Sequence, residues 1–228
     1  MIKICGLSTA PTLDAALEAG ADVVGFVFFE KSPRHIALDV ATTLAERARG
    51  RARIAALTVD APDAALKAIV AAVAPDFLQL HGRETPDRLI ALRRRFGPAM
   101  IKAIGVSGAG DVAAAELYAA AADRLLFDAK APDDARHPGG NGVAFDWRLL
   151  AGLRSPRPWL LSGGLDPGNV AEAIAATGAR GVDVSSGVES APGVKDIGRI
   201  RAFVAAAREA FARAEANSGR PQVQGRVA

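Results

Sequence analysis

Short apolar runs alternate with longer helix-forming segments along the chain, and this alternation constrains the fold more than any other feature. The segments between the runs are rich in Ala, Leu, Arg and Glu and have helical periodicity, for example residues 12–19, 39–49, 63–73, 87–96 and 112–121. The runs themselves have the length and composition of buried strands. There are eight of them, at residues 2–5, 22–28, 53–59, 77–80, 100–106, 124–128, 159–162 and 181–185.

Strands that alternate with helices form βαβ units, and such units require a parallel sheet covered by helices. Eight units favour closure, so the sequence predicts an α/β fold, a single-domain (β/α)8 TIM barrel over residues 1–212. The alternative is an open doubly wound sheet, but its Gly-x-Gly-x-x-Gly fingerprint is missing after Cys5. Residues 213–228 lack periodicity and apolar surface, and we expect a disordered tail there.

Charge and composition exclude several classes of function. The formal net charge is only +3, and the basic residues are scattered among acidic ones, so we expect no nucleic-acid partner. No apolar run approaches the roughly 18 residues of a membrane helix, and the first residues lack the features of a targeting signal. Cys5 is the only cysteine. These features predict a soluble cytoplasmic protein without disulfides.

Active sites of such barrels lie in the loops that follow the strands, and the last two strand ends carry the strongest signal. Gly163 and Gly164 follow the seventh strand, and Ser185, Ser186 and Gly187 end the eighth. Small residues let backbone N–H groups approach a phosphate, and hydroxyls add further donors. Taken singly, either motif is also compatible with a simple tight turn. Together they predict that the ligand is a phosphorylated small molecule.

Two further strand-end residues are candidates for acid–base chemistry. Cys5 shares a strand face with Lys3, whose ammonium would lower the thiol pKa, although most free cysteines are simply small buried residues. Asp128 precedes a glycine-bearing loop at residues 129–142 that we interpret as a lid, although an aspartate there can also cap or brace a loop. At pH 7 an unperturbed carboxyl is protonated only about one time in a thousand, so an acid role for Asp128 requires a special environment.

Residue spacing gives no support for a metal or a redox cofactor. His35, His81 and His137 are not spaced as metal ligands, and no dinucleotide fingerprint or paired-carboxylate helix motif occurs in the sequence. We therefore expect no metal and no cofactor.

Read together, the strand ends resemble the phosphoribosylanthranilate isomerase family of tryptophan biosynthesis. The resemblance extends from about Met1 to Phe211. Six ordered motifs carry it: Lys-Ile-Cys-Gly (3–6), Gly-Phe-Val-Phe-Phe-Glu-Lys-Ser-Pro-Arg-His (25–35), Leu-Gln-Leu-His-Gly (78–82), Leu-Phe-Asp-Ala-Lys (126–130), Leu-Ser-Gly-Gly-Leu (161–165) and Gly-Val-Asp-Val-Ser-Ser-Gly-Val-Glu (181–189).

The resemblance implies a cofactor-independent Amadori rearrangement with Asp128 as general acid and Cys5 as general base. It implies that Arg34 holds the anthranilate carboxylate through two parallel hydrogen bonds. It also assigns the phosphate to the loops after the last two strands and places His81 and Asp183 in the wall of the site. The sequence departs from the family at Asn141, where Thr is usual, and this puts closure of the sixth loop in doubt.

Two alternative functions remain open from the sequence. One is another phosphosugar enzyme of the same fold, such as an aldolase or indole-glycerol-phosphate synthase, in which Lys102 or Lys130 takes part in the chemistry. The other is a barrel that binds phosphorylated metabolites without catalysis. The sequence is compatible with either a monomer or a homodimer.

Overall fold

The protein is a closed barrel of eight parallel strands, as the alternating pattern predicts. The computed structural model describes residues 1–130, 139–140 and 144–218. The observed strands differ from the predicted ones by at most one residue at either end. They are β1 (Ile2–Cys5), β2 (Val23–Phe28), β3 (Arg53–Thr58), β4 (Phe77–Leu80), β5 (Ala99–Val106), β6 (Arg124–Ala129), β7 (Trp159–Leu161) and β8 (Val182–Val184).

Each strand pairs in parallel with its neighbours in sequence, and β1 pairs with β8 to close the ring. At this closure Lys3 lies opposite Asp183. Because all strands run the same way, their carboxyl ends meet at one mouth of the barrel, where the predicted site residues lie.

Seven α-helices surround the strands in the described residues: α1 (Ala10–Glu18), α2 (Leu38–Ala48), α3 (Asp63–Val73), α4 (Pro86–Phe96), α5 (Ala109–Ala114), α6 (Val170–Thr177) and α7 (Ile197–Ser218). Their ends follow local rules. Helix α4 begins at Pro86, and the hydroxyl of the preceding Thr85 accepts a hydrogen bond from the Arg88 N–H at 3.3 Å. The helix ends in three arginines, whose positive charges interact favourably with the negative end of the helix dipole.

The structure departs from the sequence expectations at two connections. The helix expected over residues 112–121 is split, because α5 ends at Ala114 and a 3₁₀ turn follows at Ala115–Tyr118. Between β6 and β7 the described residues contain only a 3₁₀ turn, Trp147–Leu150.

The carboxyl-terminal helix also differs from the expectation. Helix α7 continues to Ser218, so the segment after Ala214, for which we expected no regular structure, begins as helix. Residues 219–228, the rest of the expected disordered tail, lie outside the described residues.

The strands separate two apolar regions. Side chains that point outward pack under the helices and form the larger core. Inside the barrel a smaller cluster closes the amino-terminal end, and it consists of Val23, Ala55, Phe77, Ile101, Ala103, Leu126 and Leu160. Polar side chains lie above this floor, so the site occupies only the upper part of the barrel.

After β8 the chain forms an additional element before the last helix. A 3₁₀ turn (Ser186–Val188) leads into a short antiparallel hairpin of β9 (Glu189–Ala191) and β10 (Val194–Lys195). Periodicity gave no indication of this hairpin, because strands this short show no alternation.

One buried ion pair joins the ends of three strands. The Lys102 ammonium, on β5, lies 2.8 Å from the Glu84 carboxylate and donates to the Gly82 carbonyl at 2.6 Å. The same carboxylate accepts hydrogen bonds from the Asp60 and Gly82 N–H groups at 2.9 and 3.0 Å. Glu84 thus fixes the loops after β3 and β4 against β5.

We predict that Glu84→Gln destabilises the protein by about 3–5 kcal/mol, because it leaves the buried Lys102 ammonium without a counter-charge. Urea unfolding gives the free energy of unfolding directly. The matched control is Glu18→Gln, which breaks an exposed 3.1 Å pair with Arg201 and should cost about 1 kcal/mol or less. Equal losses in the two variants would contradict the structural role of Glu84.

Candidate active site

A cavity opens at the carboxyl ends of the strands and gathers most of the predicted site residues. About 750 Å³ of space, part of it open to solvent, lies between its walls. The predicted residues that line it are Cys5, Arg34, His81, Asp128, Gly163, Gly164, Asp183, Ser185 and Ser186.

Cys5 and Asp128 enter this cavity from different sides of the barrel. Cys5 ends β1 and Asp128 lies near the end of β6, and β7 and β8 stand between these strands in the ring. Both side chains are largely buried, with 3% and 5% of their surface exposed. A ligand in the cavity can therefore contact a thiol and a carboxyl at the same time.

The Lys3–Asp183 ion pair lies at the base of the site. The Lys3 ammonium is completely buried and lies 2.7 Å from the Asp183 carboxylate across the closing strand pair. Gly25 on the neighbouring strand makes room for it, since a Cβ there would lie 3.3 Å from the ammonium and 3.0 Å from the Cys5 sulfur. Although burial alone favours the neutral amine, Asp183 raises the pKa of Lys3 to about 12, so the lysine is a cation.

The expectation that Lys3 lowers the Cys5 pKa is wrong in its net direction. Burial raises the pKa of the Cys5 thiol above its ordinary value and outweighs the opposing effect of the Lys3 ammonium. Asp183, which also lies close, acts in the same direction as burial. The protein therefore holds Cys5 as a neutral thiol at neutral pH.

Two side chains in series orient Asp128: His81, the residue after β4, contacts it directly, and Gln79 on β4 contacts His81. Its carboxylate lies 3.3 Å from Nε2 of His81 and accepts a 2.9 Å hydrogen bond from the Ala129 N–H. On the other side of the ring, the Gln79 amide nitrogen lies 3.3 Å from Nδ1 of His81. These contacts orient the imidazole so that Nε2 faces Asp128.

Arg34 lies in the cavity wall, but one edge of its guanidinium is already occupied. Its Nε and Nη2 atoms bond the two oxygens of the Glu189 carboxylate at 2.7 and 2.8 Å, and Nη2 also donates to the Gly140 carbonyl at 3.1 Å. The double hydrogen bond expected for a ligand is therefore formed within the protein. Within the described residues, Nη1 is the guanidinium nitrogen that makes no hydrogen bond, and it faces the cavity side of Gly140.

The loops after β7 and β8 have the geometry of an anion cradle. Gly163 and Gly164 both adopt positive φ angles, +85° and +67°, which residues with a Cβ rarely reach. A Cβ on Gly163 would lie 2.6 Å from the Ala129 nitrogen. Ser185 and Ser186 from the next loop line the same cavity, so small residues of the two loops border it together.

Gly187 is the one predicted site residue that does not line the cavity. A Cβ at this position would lie only 1.8 Å from the Leu165 carbonyl oxygen. The glycine allows the loops after β7 and β8 to pack together, and its contribution to the cradle is therefore indirect.

Two described glycines of the sixth loop cover the site. A Cβ on Gly139 would lie 2.6 Å from the Asp128 carboxylate, and one on Gly140 would lie 2.6 Å from Nη1 of Arg34. These contacts support the interpretation of the loop as a lid. His137 and Asn141, whose effect on closure the sequence left in doubt, lie outside the described residues.

The structure separates the two lysines of the aldolase alternative. Lys102 points outward into the helix layer, where Glu84 pairs with it and the Tyr118 ring lies 5.6 Å away. Lys130 lines the cavity. Sequence reasoning assigned no site role to Gln79, and it missed Glu189 and Lys195 because their partners are distant in the chain.

The described residues contain neither a cluster of metal ligands nor a membrane-spanning helix. In that part of the chain, no group of three or more His, Cys, Asp or Glu side chains could hold a metal ion. No helix within the same ranges is both long and apolar enough to cross a membrane.

Comparison with known proteins gives a consistent result. The model of a family described as N-(5′-phosphoribosyl)anthranilate (PRA) isomerase matches residues 2–206. A protein of Rhodopseudomonas palustris (strain HaA2), named N-(5′-phosphoribosyl)anthranilate isomerase, is 59% identical over 208 residues, which cover 91% of this chain and 95% of the relative.

Solved structures agree with this comparison. The phosphoribosyl anthranilate isomerase of Thermotoga maritima superposes with a TM-score of 0.82 at 35% identity, and the match covers 91% of this chain and 98% of that one. A phosphoribosyl anthranilate isomerase in complex with reduced 1-(o-carboxyphenylamino)-1-deoxyribulose 5-phosphate gives a TM-score of 0.79 at 32% identity, with the same coverage.

The raised pKa of Cys5 can be measured directly, because Cys5 is the only cysteine. Alkylation by iodoacetamide requires the thiolate, and burial disfavours the thiolate. We predict that the rate of alkylation rises with pH to a midpoint above 9.0, the ordinary value for a thiol. In urea-unfolded protein the midpoint should fall to that ordinary value. A midpoint below it in the folded protein would show that Lys3, and not burial, dominates.

Proposed function

The chain belongs to the N-(5′-phosphoribosyl)anthranilate isomerase family of tryptophan biosynthesis, and from this membership we propose that Asp128 and Cys5 carry out the isomerisation as general acid and general base. The observation that carries this proposal is that the only thiol of the chain and a buried carboxyl line one cavity, with an anion cradle beside them. The substrate is N-(5-phosphoribosyl)anthranilate, and the product is its 1-deoxyribulose 5-phosphate isomer.

The proposed reaction begins at the ring oxygen of the sugar. Asp128 protonates this oxygen as the bond to C1′ breaks, and the nitrogen lone pair forms a C1′=N⁺ Schiff base. The Cys5 thiolate removes the C2′ proton, which the cationic nitrogen has acidified, and an enolamine forms. C1′ then gains a proton while the C2′ hydroxyl loses one, so that the product is a ketone and an isomer of the substrate.

A buried thiol with a raised pKa suits the second step. Burial keeps most of this thiol protonated at neutral pH, and the small thiolate fraction lowers the rate. A thiolate of higher pKa is, however, a stronger base for a carbon acid. The positive charge on the Schiff base nitrogen adds a second advantage, because it favours an anion at Cys5 only once the ring has opened.

The two ends of the substrate have separate proposed binding groups. The phosphate lies against the backbone N–H groups around Gly163, Gly164, Ser185 and Ser186 and against the Ser186 hydroxyl, which are neutral donors of the kind that binds phosphate. The anthranilate carboxylate lies against the free Nη1 end of Arg34, and His81 and Asp183 complete the wall. No cofactor takes part in this scheme.

The aldolase alternative has one remaining candidate lysine. Lys102 points away from the cavity and is paired with Glu84, which argues against a Schiff base on it. Lys130 lines the cavity. Treatment with borohydride and a phosphosugar tests it, because an adduct on Lys130 would favour a lysine Schiff base, whereas the isomerase scheme uses only the substrate's nitrogen.

The proposed activity is tested by generating phosphoribosylanthranilate in situ and following the loss of its fluorescence when the protein is added. The expected result is a large acceleration. Absence of any acceleration with folded protein would overturn the proposal.

We predict that Asp128→Asn and Cys5→Ala each lower kcat by about 10²–10⁴, because each removes one proton-transfer group. Binding of the reduced product analogue, measured by calorimetry, should stay within about tenfold of the wild type, since neither group supplies the main anion contacts. Asp146→Asn is the matched control, because Asp146 is half-exposed and pairs only with Arg148 among the described residues. Full activity in either site variant would remove that residue from the mechanism.

We also propose that the protein acts in the cytoplasm on this one class of partner, a phosphorylated small molecule. A reducing compartment keeps the Cys5 thiol available as a base. Whether the protein is a monomer or a homodimer stays a prediction for solution measurements.

A further inference from the structure

Two charged residues of the hairpin after β8 are buried beside the site and have no role in the chemistry above. Their side chains are only 4% (Glu189) and 1% (Lys195) exposed, although both carry charge. Burying such groups is costly unless they are paired and hydrogen-bonded. Their partners therefore indicate what the hairpin does.

Glu189 contacts Arg34, 155 positions earlier in the chain. Its two carboxylate oxygens bond Nε and Nη2 of the guanidinium, and this planar double bond fixes the orientation of the whole group. The same carboxylate accepts a 3.1 Å hydrogen bond from the Gly193 N–H at the tip of the hairpin. Although burial favours the protonated acid, the bonds from Arg34 and Lys195 hold the pKa of Glu189 below its usual value.

Lys195 extends the contact to the loop that carries Ser185 and Ser186, which is part of the proposed phosphate site and is called the phosphate loop below. Its ammonium bonds Glu189 at 2.7 Å and donates to the Ser185 carbonyl and hydroxyl oxygens at 2.9 and 3.1 Å. The Ser185 hydroxyl in turn donates to the Cys5 carbonyl at 3.1 Å. The hairpin thus touches the phosphate loop and the strand that carries the proposed base.

The hairpin tip also presses against the loop that carries Arg34. Gly193 has a φ of +81°, and a Cβ at this position would lie 2.4 Å from the carbonyl oxygen of Pro33, the residue before Arg34. Backbone packing and the ion pair therefore hold the same loop independently. Arg34 cannot turn its guanidinium away from the cavity without breaking its two hydrogen bonds to Glu189.

We propose that Glu189 is a positioning residue that aims Arg34 at the carboxylate of the ligand, and that Lys195 links this arrangement to the phosphate loop. Together the three side chains carry a formal charge of +1, which one carboxylate neutralises. The proposal rests on the assignment of Arg34 under Proposed function. It adds that specificity for a carboxylate at one end of the ligand depends on the hairpin after β8.

The test compares two ligands in calorimetry: the reduced product analogue and the same compound made from aniline, which lacks the ring carboxylate. Wild type should bind the carboxylated compound about tenfold to a hundredfold more tightly. In Glu189→Gln this ratio of affinities should fall to about threefold or less. The glutamine accepts only one of the two hydrogen bonds from Arg34, and one bond does not fix the orientation of the guanidinium. Affinity for inorganic phosphate should weaken by no more than about threefold, which a collapsed site would not show.

Glu18→Gln is the matched control and should keep the wild-type ratio, since this exposed glutamate lies outside the cavity. If Glu189→Gln does not fold, the charge-balanced double variant E189Q/K195M takes its place, with the same expected loss of the ratio. A wild-type ratio retained in either Glu189 variant would overturn the proposal and leave the proposed function intact. Equal affinity of the wild type for both ligands would instead show that Arg34 does not bind the carboxylate.

Discussion

The ion pair between Lys3 and Asp183 is the interaction on which the site depends. It joins the first strand to the last, at the place where the sheet closes into a ring. Cys5 follows Lys3 by two positions, and Ser185 follows Asp183 by two positions. Because side chains two positions apart along a strand point to the same side, the ion pair fixes where Cys5 and Ser185 lie along the barrel axis. One buried contact therefore closes the fold and fixes the proposed base relative to the phosphate loop.

The pair can exist only because the surrounding residues accommodate it. Below the ion pair, an apolar cluster that includes Phe77 and Leu126 closes the amino-terminal end of the barrel. This cluster shields the pair from water on that side. Beside it Gly25 leaves room for the ammonium. A buried ion pair is weak evidence for stability, since desolvation offsets much of the attraction. Its position at the closure indicates that it serves the geometry of the site more than the stability of the barrel.

Much of this could be predicted from sequence, because the relevant signals are local. Strand and helix periodicity predicts the alternating units. Because residues at the ends of parallel strands must meet at one mouth of the barrel, the sequence also predicted that Cys5, Asp128 and Gly163 lie close together. The six motifs also identified the family, and the comparisons confirm it. Pairs such as Arg34 with Glu189 could not be predicted, because no local pattern records which distant residues meet. The net shift of the Cys5 pKa was also missed, since it depends on a burial that spacing alone does not measure.

The ion pairs around the cavity affect both how it binds an anion and how readily Cys5 ionises. Three buried cations in or beside the wall are already paired: Lys3 with Asp183, and Lys195 and Arg34 with Glu189. A pre-paired cation attracts an anion less strongly, yet it holds its direction and does not collapse onto the substrate. Paired in this way, Lys3 stabilises a resting Cys5 thiolate too weakly to offset burial, so the pKa of the thiol is raised. In the proposed reaction the Cys5 thiolate is favoured only when the substrate nitrogen becomes positive, so the base would form at the step that uses it.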